Sequence, residues 1–350
     1  MEEIIIKIFR FVWMTGLILM SACASEPVKK TDILWPLPPD PPRIKFVKTI
    51  ESASEVEKKS FGKSVMEFVV GKDAVVHLQK PYAVHTDQKD RVYVADSSWR
   101  KILVFDYAKM EFKFLGVDGP GILSKPMGVT TDAAGNIYVS DTIEKRVVVF
   151  DPSGKFLLAM GGEKVFEEPV GIAVNDRLRR VYVVDTKKHN IDIFDFDGKF
   201  MSEFGGRGVN DGQFNFPTNL ALDSEGKIYV MDTFNFRVQI FDSDGHFLSK
   251  FGSVGTGLGQ FSKPKGIGVD SEGHIYVVDS SFNNIQIFNP AGELLLFFGD
   301  FGSENGQLFL PAGLWIDEND QIYVADQYNK RVDVFQYMGE KWKAKQQALK

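Results

Sequence analysis

Val92-Tyr93-Val94-Ala95-Asp96 is a five-residue phrase that the chain writes six times. It returns as IYVSD ending at Asp141, VYVVD at Asp185, IYVMD at Asp232, IYVVD at Asp279 and IYVAD at Asp326. Successive aspartates stand 45, 44, 47, 47 and 47 residues apart. A fixed period of about 40–50 residues marks a propeller or a solenoid.

Around the phrase the spacing barely moves. A proline lies fifteen residues before the aspartate in five copies (Pro81, Pro126, Pro217, Pro264, Pro311) and sixteen before it in the sixth, Pro169. Each proline opens a short apolar run, where a missing N–H costs no ladder bond. Turn clusters follow, such as 132–136 and 223–227, and the Tyr-Val phrase then reads as a second strand. Nine residues after each aspartate comes a phenylalanine: Phe105, Phe150, Phe194, Phe241, Phe288 and Phe335. It closes an alternating third strand, and another glycine turn leads to a fourth. Four strands in about 46 residues is one propeller blade, whereas a leucine-rich repeat needs a period of about 20–29.

The sixth unit lacks its fourth strand. Residues 44–50, Ile44-Lys45-Phe46-Val47-Lys48-Thr49-Ile50, alternate and precede the first proline as such a strand should. The expected fold is therefore all-β: a six-bladed β-propeller of four-stranded antiparallel blades over 44–339, closed by an N-terminal strand. Closure leaves no open edge between the first and last blades.

Residues 1–22 read as a cleavable secretion signal. Lys7 and Arg10 precede an apolar stretch, Phe11 to Met20, too short for the roughly 20 residues that span a bilayer. Leu19-Met20-Ser21-Ala22-Cys23 resembles the bacterial lipoprotein lipobox, with Met20 where leucine is usual. By that resemblance Cys23 is the acylated first residue of the mature protein. The other reading is a lone cysteine in an uncleaved anchor. Ala24-Ser25 after it favours the outer membrane of a two-membrane cell under the usual sorting rule. The expected place is thus the cell envelope, on the periplasmic or exterior side. Residues 23–43 are proline-dense and read as an extended tether of about 3.1 Å per residue. Residues 51–80 form a long connection or lid, with helical apolar spacing from Phe61. A polar, Lys-rich tail occupies 340–350.

Cys23 is the only cysteine, so no intrachain disulfide and no cysteine-based metal or haem site can form. With 41 basic and 47 acidic residues the net charge is −6, and no basic block recommends nucleic acid.

The proline-Gly-aliphatic strand, the Tyr-Val-x-Asp phrase, Thr233-Phe234-Asn235-Phe236-Arg237 through Asp242, and Phe251-Gly252 through Pro264 together resemble the NHL repeat family. The match covers roughly 78–336. It implies the propeller fold and leaves function open, because the family includes protein binders, RNA binders, sensor domains and lyases.

Most repeated residues are scaffold. A fully buried phenylalanine contributes about 1.5–3 kcal/mol. The repeat aspartates Asp96, Asp141, Asp185, Asp232, Asp279 and Asp326 are expected to cap a turn and to pair with a basic residue five positions on: Lys101, Arg146, Arg237 or Arg331. Function is sought where repeats differ. The 2–3 loops and the connections into the next blade share one face, here called the top. Trp99, Ile143, His189, Phe234, Phe236, Phe282 and Tyr328 stand on those loops and are candidate partner-binding residues; equally, each can tuck against the next blade. The channel candidates are His85 and Asn219.

The resemblance extends to lyases whose metal is held by three histidines. The five histidines here (His77, His85, His189, His246, His274) are not placed to converge, so no metal and no cofactor are expected. Two hypotheses remain. One is a non-catalytic protein- or ligand-binding propeller of the envelope, taking a protein or peptide partner on the top face. The other is a metal-dependent lyase, hydrolase-like enzyme or small-molecule sensor using the channel. Glycan binding by exposed aromatics is a third idea.

Overall fold

The computed structural model describes residues 32–57 and 75–348. Segment β1 (Leu34–Trp35) and strand β2 (Ile44–Ile50) come first. Blade one is β3 (Pro81–Thr86), β4 (Arg91–Asp96), β5 (Lys101–Asp106) and β6 (Glu111–Leu115). Blade two is β7 (Pro126–Thr131), β8 (Ile137–Asp141), β9 (Arg146–Phe150) and β10 (Phe156–Gly161). Blade three is β11 (Pro169–Asn175), β12 (Arg180–Asp185), β13 (Asn190–Asp195) and β14 (Phe200–Gly205). Blade four is β15 (Asn219–Leu222), β16 (Ile228–Asp232), β17 (Arg237–Phe241) and β18 (Phe247–Phe251). Blade five is β19 (Pro264–Val269), β20 (Ile275–Asp279), β21 (Asn284–Phe288) and β22 (Leu294–Phe298). Blade six is β23 (Pro311–Ile316), β24 (Gln321–Asp326) and β25 (Arg331–Tyr337), and helix α1 (Glu340–Ala348) follows it.

Every sheet is antiparallel in simple up-and-down order. The opening strands of neighbouring blades pack side by side around one axis, β23 against β3 included. β2 pairs with β25, Phe46 opposite Phe335 and Ile50 opposite Val332, so residues 44–50 complete blade six and close the ring.

The period-2 alternation of the Tyr-Val phrase builds the core. In β4, Val92 and Val94 face blade six, while Tyr93 and Ala95 face blade two. A six-bladed ring buries both faces of each middle strand, so β4, β8, β16 and β20 are buried along their whole length. The buried residues fall into apolar clusters that each join adjacent blades.

One segment departs from the sequence expectation. The tether does not run to residue 43: Leu34 and Trp35 pair with Lys45 and Ile44 as a fifth strand on blade six. The Trp35 ring lies 5.8 Å from both Phe298 and Phe335, because an indole on an otherwise extended stretch gains more by covering that apolar edge than by remaining in water. The polar tail, for its part, is helical over Glu340–Ala348. Glu340–Ala348 is rich in helix formers and carries an i,i+3 Glu340–Lys343 pair at 2.8 Å. Its first turn is fixed where the Glu340 N–H donates to Glu272 at 2.8 Å. In the 51–80 connection, Ser52 bridges His77, and Ala53, Val56 and Leu78 are buried. The helix expected from Phe61 lies outside the described residues, as do the signal segment 1–22 and Cys23.

Candidate functional site

Each repeat aspartate is fully buried at the top end of its second strand. Asp96 accepts the N–H groups of Gln79 and Lys80 at 2.7 and 2.9 Å, and those of Ser98 and Trp99 at 3.0 and 3.1 Å. One carboxylate thus ties the connection entering a blade to that blade's own 2–3 loop. Asp141 and Asp279 repeat the arrangement with Lys125 and Lys263. The expected ion pair forms in two blades only. Arg237 meets Asp232 at 2.8 Å and Arg331 stands 3.6 Å from Asp326. Lys101 and Arg146 reach instead to the carbonyls of Gly116 and Ile122, because the shorter connections of blades one and two bring those oxygens within range.

The 2–3 loop has one geometry in all six blades. Its last residue, four after the aspartate, has positive φ: Arg100, Lys145, His189, Phe236, Asn283 and Lys330, between 49° and 59°. At this left-handed step His189 and Phe236 lie against the blades, while Arg100 and Lys330 are exposed. Position two after the aspartate points outward. Ile143, Phe234 and Tyr328 stand there, each about three-fifths exposed.

This sorts the sequence candidates. Ile143, Phe234 and Tyr328 are on the open rim. Trp99 is 37% exposed, but its indole N–H donates to the His77 carbonyl at 2.7 Å and its ring leans on Phe114. Phe282 is half-buried. His189 and Phe236, both at the left-handed position, are packed inward and are not rim residues. His189 is buried, and its Nδ1 accepts the Phe216 N–H at 3.0 Å, locking blade three to blade four. Phe236 packs into the core between blades four and five.

Sequence reading put the connecting loops of blades four to six on the top face but did not separate their buried residues from their exposed ones. Phe214, Phe261 and Leu308 are wholly buried beneath them. Val254, Leu258 and Phe301 are exposed above. The isolated bridges Arg207–Phe214, Val254–Phe261 and Phe301–Leu308 show the shared geometry, with outer and inner members seven residues apart. Gln239 clamps one such loop, donating to the Gln213 carbonyl at 2.7 Å and accepting from Gly212 at 3.0 Å; Gln286 does the same for the next. Phe301, Phe309 and Tyr328 then form a surface stack, with centroids 4.8 and 3.9 Å apart. Phe234 has its own backing ring in Phe216, at 5.3 Å.

The channel is a cavity of about 930 Å³ lined by the inner strands of all six blades. At the bottom face, Lys341, Trp342 and Lys345 of α1 contribute to its wall. Asn219 lines it and folds its Oδ1 back to the Leu220 N–H at 2.9 Å. His85 is buried with its ring 4.1 Å from that of Trp315, and burial pushes its imidazole down to about 3. Its Nε2 accepts the Thr131 N–H at 3.1 Å, so Nδ1 carries the proton, and that atom is buried without a hydrogen-bond partner among the described residues. Among the described residues no group of three or more His, Cys, Asp or Glu is placed to hold a metal ion.

The family model described as a 6-bladed beta-propeller matches residues 218–290, which span blade four and the first three strands of blade five. No curated protein matches the chain in sequence. Solved structures share its fold. A structural genomics protein of unknown function from Bacteroides thetaiotaomicron is 18% identical, with a TM-score of 0.60 over 84% of this chain and 75% of that one. An auxiliary nutrient binding protein from the same organism is 13% identical, with a TM-score of 0.58 over 75% and 71%. Virginiamycin B lyase from Staphylococcus aureus is 15% identical, with a TM-score of 0.56 over 74% and 95%. The chain is a six-bladed β-propeller. At these identities the likeness extends to the fold alone.

Proposed function

We propose that this propeller, of the NHL-repeat type, is a non-catalytic binding protein of the cell envelope that takes a polypeptide partner on its top face. Acylated Cys23 would hold it at the membrane, facing the periplasm or exterior. The observation that carries the reading is the rim itself. Phe234, Phe301 and Tyr328 are exposed, and the buried carboxylates of Asp232 and Asp326 hold the top-face connections beside them by accepting the N–H groups of Asn215 and Phe309. Large rings already held in place lose little entropy on binding, which is what makes them interface anchors.

The test is capture from detergent-solubilised membranes, comparing wild type with Phe234→Ser, Phe301→Ser and Tyr328→Ser combined, after thermal melting shows the variant folded. A protein held by wild type and lost by the variant supports the reading. Identical capture by both rejects it. The anchor is tested separately, since Cys23→Ser should move the protein from the membrane fraction to the soluble one.

One observation favours a second reading, a small-molecule sensor using the channel. The cavity is of ligand size, and α1 adds Trp342 and two lysines at one mouth.

A further inference from the structure

We propose that the top mouth of the channel is a carboxylate site, in which Lys80, Lys125, Lys263 and Lys265 receive an acidic stretch of the partner polypeptide. The inference rests on the top-face reading above and makes the partner's chemistry specific.

Lys80, Lys125 and Lys263 each stand directly before the proline that opens an inner strand. The repeat aspartates fix all three, accepting their N–H groups at 2.9, 3.0 and 3.0 Å. Their placement round the axis is therefore set by the repeat and not by loop chance. Lys265 is one residue past Pro264, within the opening strand β19, and half-buried. The same position before the proline in the other blades holds Glu168, Phe216 and Leu310. Glu168 is taken, at 3.3 Å, by Lys187. Blades five, six, one and two are consecutive round the ring, so the four lysines lie on one arc.

None of the four has a carboxylate within ion-pair distance among the described residues, and their ammonium groups find no carbonyl either. Unpaired lysines on an open surface are ordinary, but Lys265 is not in the open. Burial first, then the charges of Lys263 and Lys80, push its ammonium down to about 8. A group destabilised by burial and like charge is one that an anion relieves on both counts. The opening strands also pair on one edge only, β19 with β20 and β3 with β4, so their other edge turns unpaired backbone N–H groups toward the axis.

The neighbours on the arc indicate a peptide and not a free ion. Leu310 sits between the lysines of blades five and one, and it adjoins the Phe301, Phe309 and Tyr328 stack. An extended chain crossing the mouth can lay apolar side chains on the rings and acidic ones on the lysines.

The probe is fluorescein-labelled deca-glutamate, followed by anisotropy with the folded protein, with deca-glutamine as the uncharged control. Wild type should bind the first and not the second, more weakly as salt rises. Lys80→Met, Lys263→Met and Lys265→Met combined should weaken binding about tenfold or more, or about 1.4 kcal/mol. Lys341→Met with Lys345→Met, at the opposite mouth, should leave it unchanged. No binding by wild type, or equal loss in both variants, overturns the site. So does saturation by inorganic phosphate without binding of deca-glutamate, which would mean a small-anion pocket. Membrane capture separates this from the broader reading. A partner lost by the aromatic variant but kept by the lysine variant preserves the top-face function and rejects the carboxylate site.

Discussion

The hydroxyl of Tyr138 donates to Oδ2 of Asp132 at 3.1 Å, tying the middle strand of blade two to the turn that enters it. The same bond joins Tyr93 to Asp87, Tyr229 to Asp223 and Tyr276 to Asp270, each at 3.0 Å. A second family of aspartates thus fixes the bottom turns as the repeat aspartates fix the top. Burial and then the neighbouring carboxylate raise the Tyr138 phenol above its usual range. Tyr138→Phe should lower stability by about 1–1.5 kcal/mol, the net value of one hydrogen bond. Asp132→Ala should cost more, since it also releases the main-chain and side-chain N–H groups of Asn136, both at 2.8 Å. Urea midpoints at constant slope would measure both. Equal effects would mean that the turn holds without its carboxylate.

Arg237 and Arg146 occupy the same repeat position and should respond differently to replacement. Arg237 is buried against Asp232 and donates to the carbonyls of Val209, Asn210 and Gln213, each at 2.9 Å. Arg237→Met leaves a buried carboxylate unpaired and should cost about 3–5 kcal/mol. Arg146 makes a half-exposed bond to the Ile122 carbonyl, and Arg146→Met should cost less than about 1 kcal/mol. Thermal melts of the two variants decide it, and similar shifts would contradict the account.

Three buried groups should give stability two opposed pH limbs. Burial raises the Asp333 carboxyl to about 8 and that of Asp192 to about 7, against the pull of Arg331 and Lys188. Folded-state values above the unfolded ones give stability that is fully present below the ordinary carboxyl value of 3.8 and is lost progressively as pH rises from there to about 7 and 8. His85 has the opposite sign. Its folded value of about 3 lies below the ordinary 6.5, so its contribution is present above 6.5 and lost as pH falls toward 3. Asp333→Asn should flatten the alkaline limb and His85→Gln the acid limb in urea midpoints taken across pH. A variant that leaves its limb unchanged removes that residue from the explanation.

Ring closure should be indispensable. A chain beginning at residue 33 keeps β1 and β2 and should fold. One beginning at residue 51 exposes the whole edge of β25 and uncovers Phe335, which packs on Phe46 at 5.7 Å. Exposed apolar edges pair with other chains. Light scattering and circular dichroism of the two fragments should show a monomeric β protein and an aggregate. A stable monomer from residue 51 would show that the hydrogen-bonded seam is dispensable.

The sequence made the scaffold legible because repetition averages out local ambiguity. One Tyr-Val phrase could be any strand, but six at one spacing, each with its proline and phenylalanine, allow a single arrangement of strands. The rim was legible in part. Ile143, Phe234 and Tyr328 stood among the candidates and are outward, while His189 and Phe236 were candidates that pack inward, because side-chain type does not tell residues two and four positions after an aspartate apart. Phe301 went unseen for a similar reason: its repeat equivalents are Arg207 and Val254, and no pattern of side-chain type marks the position.

By itself the sequence determined what depends on period and alternation: blade number, strand order, closure by residues 44–50, and the two-sided burial of the middle strands. Those follow from spacing along one chain. Tertiary structure alone decided what depends on residues far apart meeting. It placed Trp35 between Phe298 and Phe335, laid α1 beside the channel, and gave Arg237 but not Arg146 a buried partner. It also set four lysines from three blades on one arc with no carboxylate at ion-pair distance among the described residues. Such contacts are fixed by how blades pack around an axis, and local sequence carries no record of which distant side chain arrives at the same point.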